Sequence, residues 1–387
     1  MRITDVETYL VGNPWKRWLF LKVNTSNGLY GVSEATLYQG SASVLTHLKE
    51  TRSRYIGKDP LQVERIWFEW FRNSFNRTTD ATTISALTGI EIACLDIIGK
   101  HFGAPIHQLL GGPVQKKLRL YANGWYTHAK TPAEWGEKAR SATRKGYTAL
   151  KFDPFGDAYM QIAEKDLRKA EKIVASVRES VGDDVDLMIE GHGRFNVASA
   201  VRVGRALEKY RPAWFEEPIP PENIHLLHEV RSKVNIPIAT GERLITKHDF
   251  NKLLRLDSVD VIQPDILNTG GILETKKIAA MAEANYVSVA PHQAEGPICT
   301  AVCAQLDACI SNFYIQESFD EFDVPWRNSL VRDPVRIESG WMYVPSKPGL
   351  GIDINVKEVL KHPPERDEDF NLFSQGWEDR NLPTRRS

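Results

Sequence analysis

Three acids each close a short apolar run. Glu190 ends Leu187-Met-Ile-Glu190, Glu216 ends Ala213-Trp-Phe-Glu216, and Glu242 follows Ile238-Ala-Thr-Gly241. Twenty-six residues separate Glu190 from Glu216, and twenty-six again separate Glu216 from Glu242. One β/α unit, with its strand, helix and two loops, fills about that length. The spacing therefore predicts successive parallel strands, each delivering a carboxylate to the same rim. Carboxylates gathered this way repel unless a cation lies between them. A set of oxygen ligands suits a hard ion, Mg²⁺ ahead of Ca²⁺ or Mn²⁺. A single strand-end acid commonly caps the helix that follows. Three at equal spacing point to a metal.

Other strand ends carry further chemistry. Lys151 and Asp153 close Ala149-Leu-Lys-Phe-Asp. Residues two apart on a strand share a face, so both are expected at the mouth. His192 stands two residues after Glu190 in Glu190-Gly-His-Gly-Arg194, and is expected to face the site with it. Asp265, His292 and Glu317 end three later apolar runs. An aspartate on one imidazole nitrogen fixes the tautomer and leaves the other nitrogen as a base. A divalent ion with Lys151 would bind a carboxylate, the Asp265–His292 pair would take the adjacent proton, and His192 could return one. This is proton abstraction α to a carboxylate.

The elements that must position these groups follow from patterning. Strand-like runs at 118–122, 148–152, 186–190, 213–216, 236–240, 259–263, 286–290 and 313–316 alternate with helical stretches at 132–145, 157–181, 197–209, 222–231, 246–255, 271–284 and 296–309. That alternation predicts an α/β fold, a (β/α)7β TIM-like barrel over residues 118–320, with chemistry at the strand C-terminal ends. Residues 1–117 read as an α+β capping domain: strands at 1–10 and 19–24, a turn at Thr25–Gly28, and helices at 41–57, 61–75 and 84–102. Val11 to Trp18 reads as a loop able to cover an anionic ligand. Residues 321–387 read as a C-terminal segment packing back on the capping domain, with 376–387 mobile unless an oligomer holds it.

The chain has 387 residues, 42% hydrophobic and 26% charged, with net charge −1. This is a globular composition with no basic field for nucleic acid. The N-terminus lacks the pattern of a signal peptide, and no apolar run is expected to reach a membrane span. Four cysteines without a CxxC pair suggest buried thiols in a cytoplasmic protein.

The constellation resembles the enolase superfamily, within its mandelate racemase-like group. The helix Ala86-Leu-Thr-Gly-Ile-Glu-Ile-Ala-Cys-Leu-Asp96, the turn Leu109-Leu-Gly-Gly-Pro113 and the tail Pro348-Gly-Leu-Gly-Ile352 resemble its capping domain. Glu216-Glu217-Pro218, Gly241-Glu242, Asp265 and His292 fall at the family's spacing. The resemblance implies that Glu190, Glu216 and Glu242 hold Mg²⁺ and that His292, paired with Asp265, is the base. It also implies that Glu317 lies near the substrate carboxylate. Glu190 replaces the commoner aspartate, and Asp153 stands where racemases of the group carry a basic lysine. Glu190-Gly-His192-Gly-Arg194 resembles sugar-acid dehydratases of the galactonate and gluconate type, in which the histidine protonates the departing β-hydroxyl. Asp153 and Arg194 are then placed at the substrate. The expected partners are a small sugar acid and, because members commonly assemble, a second copy of the chain.

Three other functions compete. A racemase, epimerase or cycloisomerase would exchange the α-proton without losing water. A Schiff-base aldolase using Lys151 would be indifferent to chelator. A non-catalytic sugar-acid binder would leave so complete a polar site unused.

Overall fold

The computed structural model describes residues 1–74, 80–364 and 370–382. Its first three strands, β1 (Ile3–Asn13), β2 (Lys16–Thr25) and β3 (Tyr30–Glu34), form an antiparallel sheet in that order. The expected Val11–Trp18 loop is instead a hairpin tip. Cross-strand pairing continues through Val11↔Trp18 to Asn13↔Lys16, leaving only Pro14 and Trp15 in the turn. Burial explains the difference. Trp15 and Lys16 are 7% and 3% exposed, and Asn13 Nδ2 donates to Asp323 Oδ1 at 3.0 Å.

Helices α1 (Ser41–Thr51), α2 (Val63–Asn73), α3 (Ala81–Phe102) and α4 (Ile106–Leu109) complete the capping domain. Residue 75, the expected end of the second helix, lies outside the described residues. Asp80 caps α3 by accepting from the Thr82 and Thr83 amides, which starts the helix earlier than apolar spacing alone suggests. At 22 residues α3 is long and apolar enough to cross a membrane, contrary to expectation. Its most apolar stretch is 78% buried inside the protein, as befits the central helix of this domain.

The barrel strands are β4 (Lys117–Ala122), β5 (Ala149–Phe152), β6 (Asp186–Glu190), β7 (Trp214–Glu216), β8 (Ile238–Thr240), β9 (Val261–Ile262), β10 (Ser288–Val289) and β11 (Gln316–Ser318). Each pairs in parallel with the next through β10. β11 returns to β4, and a Val289↔Phe313 bridge closes the ring. Between them run α5 (Pro132–Arg144), α6 (Glu164–Val181), α7 (Val197–Leu207), α8 (Leu227–Arg231), α9 (Thr246–Leu254), α10 (Ile266–Thr269), α11 (Ile272–Ala284) and α12 (Pro297–Asp307). The helix expected from 157 begins only at Glu164. The chain before it lies extended along the loop after β6, where Met160 N donates to Arg194 O at 2.7 Å and Asn196 N to Met160 O at 2.9 Å.

Strand period places the site. One apolar residue in or next to each strand joins a buried cluster: Tyr121, Ala149, Met188, Trp214, Ala239, Val261, Ala290 and Ile315. Two residues on, the same inward face carries Asn123, Lys151, Glu190, Glu216, Gly241, Gln263, His292 and Glu317. An apolar plug thus floors a polar layer at the C-terminal rim.

Buried acids join the two domains. Glu34, at the end of β3, accepts from Gly296 N (2.7 Å) and Cys299 N (3.0 Å) at the start of α12. Glu91 of α3 accepts from Ile272 N (3.1 Å) and Leu273 N (2.9 Å) at the start of α11. Helix N-termini favour negative charge, so these contacts fix the capping domain over the rim. The segment after 320 divides. Trp341–Tyr343 pairs antiparallel with the N-terminal half of β4, while Leu350 N donates to Asp96 of α3.

Candidate active site

The polar layer opens into a cavity of about 440 Å³. Glu242 lines it, and Glu190, Glu216 and Glu242 each offer an oxygen within 4.8 Å of the others. Oxygens around an ion bound at about 2.1 Å lie roughly 3–4.2 Å apart, and the three carboxylates are close enough to be candidates for such a site. Local structure delivers each of them. Glu190 and Glu216 sit at paired positions of β6 and β7. Glu242 leaves the period of two because Gly241, at φ +140, turns the chain where a Cβ would meet Gln263 N at 3.0 Å. The His192 amide holds Glu190 Oε1 at 2.7 Å, and Trp214 Nε1 holds Glu216 Oε2 at 2.8 Å. Glu190 Oε2 is buried and pairs with the Lys151 ammonium at 3.1 Å. Burial, and then the charge of Glu190, push the Glu216 carboxyl well above its usual range. A divalent cation held by these acids would offset their mutual repulsion.

Lys151 supplies one positive charge. Its Nζ lies 2.5 Å from Glu216 Oε1, 2.9 Å from Glu317 Oε1 and 3.1 Å from Glu190 Oε2. Burial disfavours the ammonium, but these acids hold its pKa well above the ordinary lysine value. Glu317 also accepts from Asn123 Nδ2 (2.8 Å) and Gln293 N (2.9 Å).

Two histidine–aspartate pairs flank the cluster. His292 Nδ1 is 2.8 Å from Asp265 Oδ2, and an Asp265↔His292 bridge continues the β9–β10 pairing. Asp265 also caps α10 through Leu267 N at 2.9 Å, so it orients a ring and starts a helix at once. His292 Nε2 lies 3.5 Å from Glu242 Oε2 and 3.8 Å from Glu317 Oε2. Burial opposes its protonation, yet Glu242 and Glu317 raise its pKa well above the ordinary histidine value. His192 takes φ +48, a left-handed conformation rare for a residue with a Cβ, and its Nδ1 lies 2.6 Å from Asp153 Oδ2.

Two expected positions are corrected. Asp153 does not share the mouth with Lys151. It is fully buried, accepts from Phe155 N at 2.9 Å, and bonds His192 and Arg194. Arg194, expected at the substrate, is buried behind the cavity. It bonds Asp153, Gly191 O at 3.0 Å and Gly156 O at 2.6 Å, and lies against Phe373. β5 ends at Phe152, so Asp153 lies past the strand and holds a ring from the loop after β6.

Several lining residues escape the sequence reading: Arg243, Glu295, Asn268, Phe370, Trp377 and Arg380. Arg243 pairs with buried Glu217 at 2.8 Å. Burial, with the nearby Asp265 charge, pushes the Glu295 carboxyl up to about 8. Its place three residues after His292 in one loop was the available signal. For Phe370 and Trp377 the signal was aromatic density in an otherwise polar tail.

Known proteins resemble this chain over nearly its whole length. Residues 11–111 match the family model described as mandelate racemase / muconate lactonizing enzyme, N-terminal domain, and residues 134–359 match the one described as enolase C-terminal domain-like. A D-gluconate dehydratase of Thermoproteus tenax is 38% identical over 91% of this chain and 72% of its own length. A D-gluconate/D-galactonate dehydratase of Picrophilus torridus is 37% identical over 97% of each chain. A crystal structure of a mandelate racemase/muconate lactonizing enzyme from Jannaschia sp. CCS1 superposes with a TM-score of 0.89 at 32% identity, covering 95% of this chain and 98% of that one. With both halves of the fold and nearly the whole length accounted for, the chain belongs to the mandelate racemase/muconate lactonizing enzyme family of the enolase superfamily.

Proposed function

We propose that this protein is a Mg²⁺-dependent dehydratase that converts an aldonic acid, such as D-gluconate or D-galactonate, into its 2-keto-3-deoxy acid. One observation carries the reading: two aspartate-held histidines line a single cavity beside a three-carboxylate cluster. A dehydration needs both a base and an acid, whereas an α-proton exchange needs no leaving-group acid. The relatives whose names state gluconate and galactonate dehydration support the same reading.

Glu190, Glu216 and Glu242 would hold the ion. It would supply positive charge to the enediolate oxygens and offset the Glu242 charge that raises the His292 pKa. His292 Nε2 takes the C2 proton, and the C–H electron pair moves onto the carboxylate. Lys151 keeps a fixed positive charge beside the carboxylate that receives it. The enediolate electrons then form the C2–C3 double bond and expel the 3-hydroxyl, which leaves as water with a proton from His192. The resulting enol gains a proton at C3 and loses one from its 2-hydroxyl, so the net change is loss of one water. Asp153 and Asp265 hold the two rings by Nδ1, which leaves each Nε2 for the substrate.

The test is turnover of a panel of aldonic and aldaric acids with Mg²⁺, scored for 2-keto-3-deoxy product. Product from a six-carbon aldonate supports the reading. Absence of product from every acid contradicts it.

A further inference from the structure

Residues 370–382 cross the cavity mouth. Gln39 Nε2 and Tyr38 Oη of the capping domain donate to the Phe370 carbonyl. On the barrel side, Trp377 Nε1 donates to Gly156 O at 3.0 Å and Lys130 Nζ pairs with Asp379 at 2.6 Å. The segment therefore ties the capping domain to the loops after β4 and β5. It also carries Arg380 into the cavity wall, where the side chain is nearly inaccessible, at 4% exposure.

Arg380 has an unusual setting. Its Nη1 donates to Thr127 Oγ1 at 3.0 Å and its Nη2 to Tyr126 Oη at 2.7 Å. Rings of Tyr126, Phe319, Trp15 and Trp377 surround the guanidinium at 4.9, 5.3, 5.6 and 5.8 Å. Among the described residues no carboxylate pairs with it, the three acids paired with Lys151 included. A buried guanidinium has more N–H donors than two hydroxyls satisfy. Leaving donors unmet is costly, and aromatic faces offset only part of the charge. The rings already act as a partial counter-charge, so oxygen acceptors complete this site without a second full anion.

We propose that Arg380 determines specificity by donating to hydroxyl oxygens at the end of the sugar acid remote from its carboxylate. This rests on the sugar-acid reading above and adds the residue that measures chain length. The C-terminal segment is then part of the substrate site as well as a tie between domains.

The test compares wild type, Arg380→Met and Arg380→Lys, all loaded with Mg²⁺. The probes are the six-carbon aldonates D-gluconate and D-galactonate, and L-threonate, which shares their C2 and C3 configuration but lacks the last two carbons. Both kcat/KM and calorimetric Kd are measured, with the melting temperature as a check on folding. Arg380→Met should lose about 10- to 100-fold on the six-carbon acid, the value of a charged hydrogen bond, mainly through KM and Kd. Its loss on L-threonate should be several-fold smaller, and Arg380→Lys should recover part of the difference. A loss equal on both chain lengths, or none, overturns the proposal. So does a diacid such as galactarate binding more tightly than the aldonates through Arg380. Wild type that binds these acids without dehydrating them ends the dehydratase reading, and the Kd ratio alone then decides this one. Wild type that binds none of them overturns both.

Discussion

Asp153 and His192 lie on neighbouring strand ends of the barrel, and the 2.6 Å contact between Oδ2 and Nδ1 fixes the histidine ring against the cavity. The same carboxylate bonds Arg194, so the aspartate is itself held from behind. This makes Asp153 a positioning residue that acts through His192.

Asp153→Asn should therefore lower kcat by about 10- to 100-fold, the usual effect of removing an orienting partner, with a smaller change in KM. Exchange of solvent deuterium into recovered substrate should persist, because His292 and Asp265 are untouched. Steady-state kinetics with proton NMR of recovered substrate checks both. Loss of exchange together with turnover would make Asp153 part of the proton-abstracting machinery instead.

The carboxylate cluster and Lys151 separate under mutation. Glu216→Gln removes a ligand charge and should weaken Mg²⁺ binding by at least about tenfold, measured by calorimetry. Lys151→Met removes a cation from among Glu190, Glu216 and Glu317. It should leave Mg²⁺ affinity equal or higher, while kcat falls by about 10²–10³. Chelator should abolish activity and added Mg²⁺ restore it. Weaker metal binding in Lys151→Met would mean that the lysine organises the ligands.

Asp307, at the end of α12, is wholly buried with neither oxygen hydrogen-bonded among the described residues, and burial raises its pKa well above the usual range. A raised folded-state pKa favours folding fully below the unfolded value of about 4. That contribution falls by up to about 1.4 kcal/mol per pH unit as pH climbs toward the folded value. Asp307→Asn does not ionise. Its melting temperature should gain on wild type as pH rises from 5 to 8, and a constant difference across that range would contradict this account.

Much of this molecule was legible in its sequence where one physical rule decided the outcome. The even spacing of Glu190, Glu216 and Glu242 reflects the length of a β/α unit, and Ala290 to His292 or Ile315 to Glu317 reflects strand period. Destinations set by neighbours across the fold were not legible. Asp153 obeys the period of two in sequence, yet its partners His192 and Arg194 belong to another strand end. Val11 to Trp18 reads as a loop, but cross-strand pairing carries the hairpin to Asn13 and Lys16. The aromatic tail gives no periodic signal, and its place over the cavity depends on contacts with Tyr38, Gln39, Tyr126 and Lys130.

The central claim is that the two histidines divide the proton transfers, and deuterium exchange tests it most directly. Wild type, His192→Asn and His292→Asn are incubated in D₂O with Mg²⁺ and a six-carbon aldonate, and the recovered substrate and product are read by proton NMR. His292→Asn should lose both exchange at C2 and formation of the 2-keto-3-deoxy acid. His192→Asn should lose product formation by about 10²–10⁴, the worth of a general acid, while still exchanging the C2 proton. A His192→Asn enzyme that dehydrates at the wild-type rate, or a His292→Asn enzyme that still exchanges, would contradict the account.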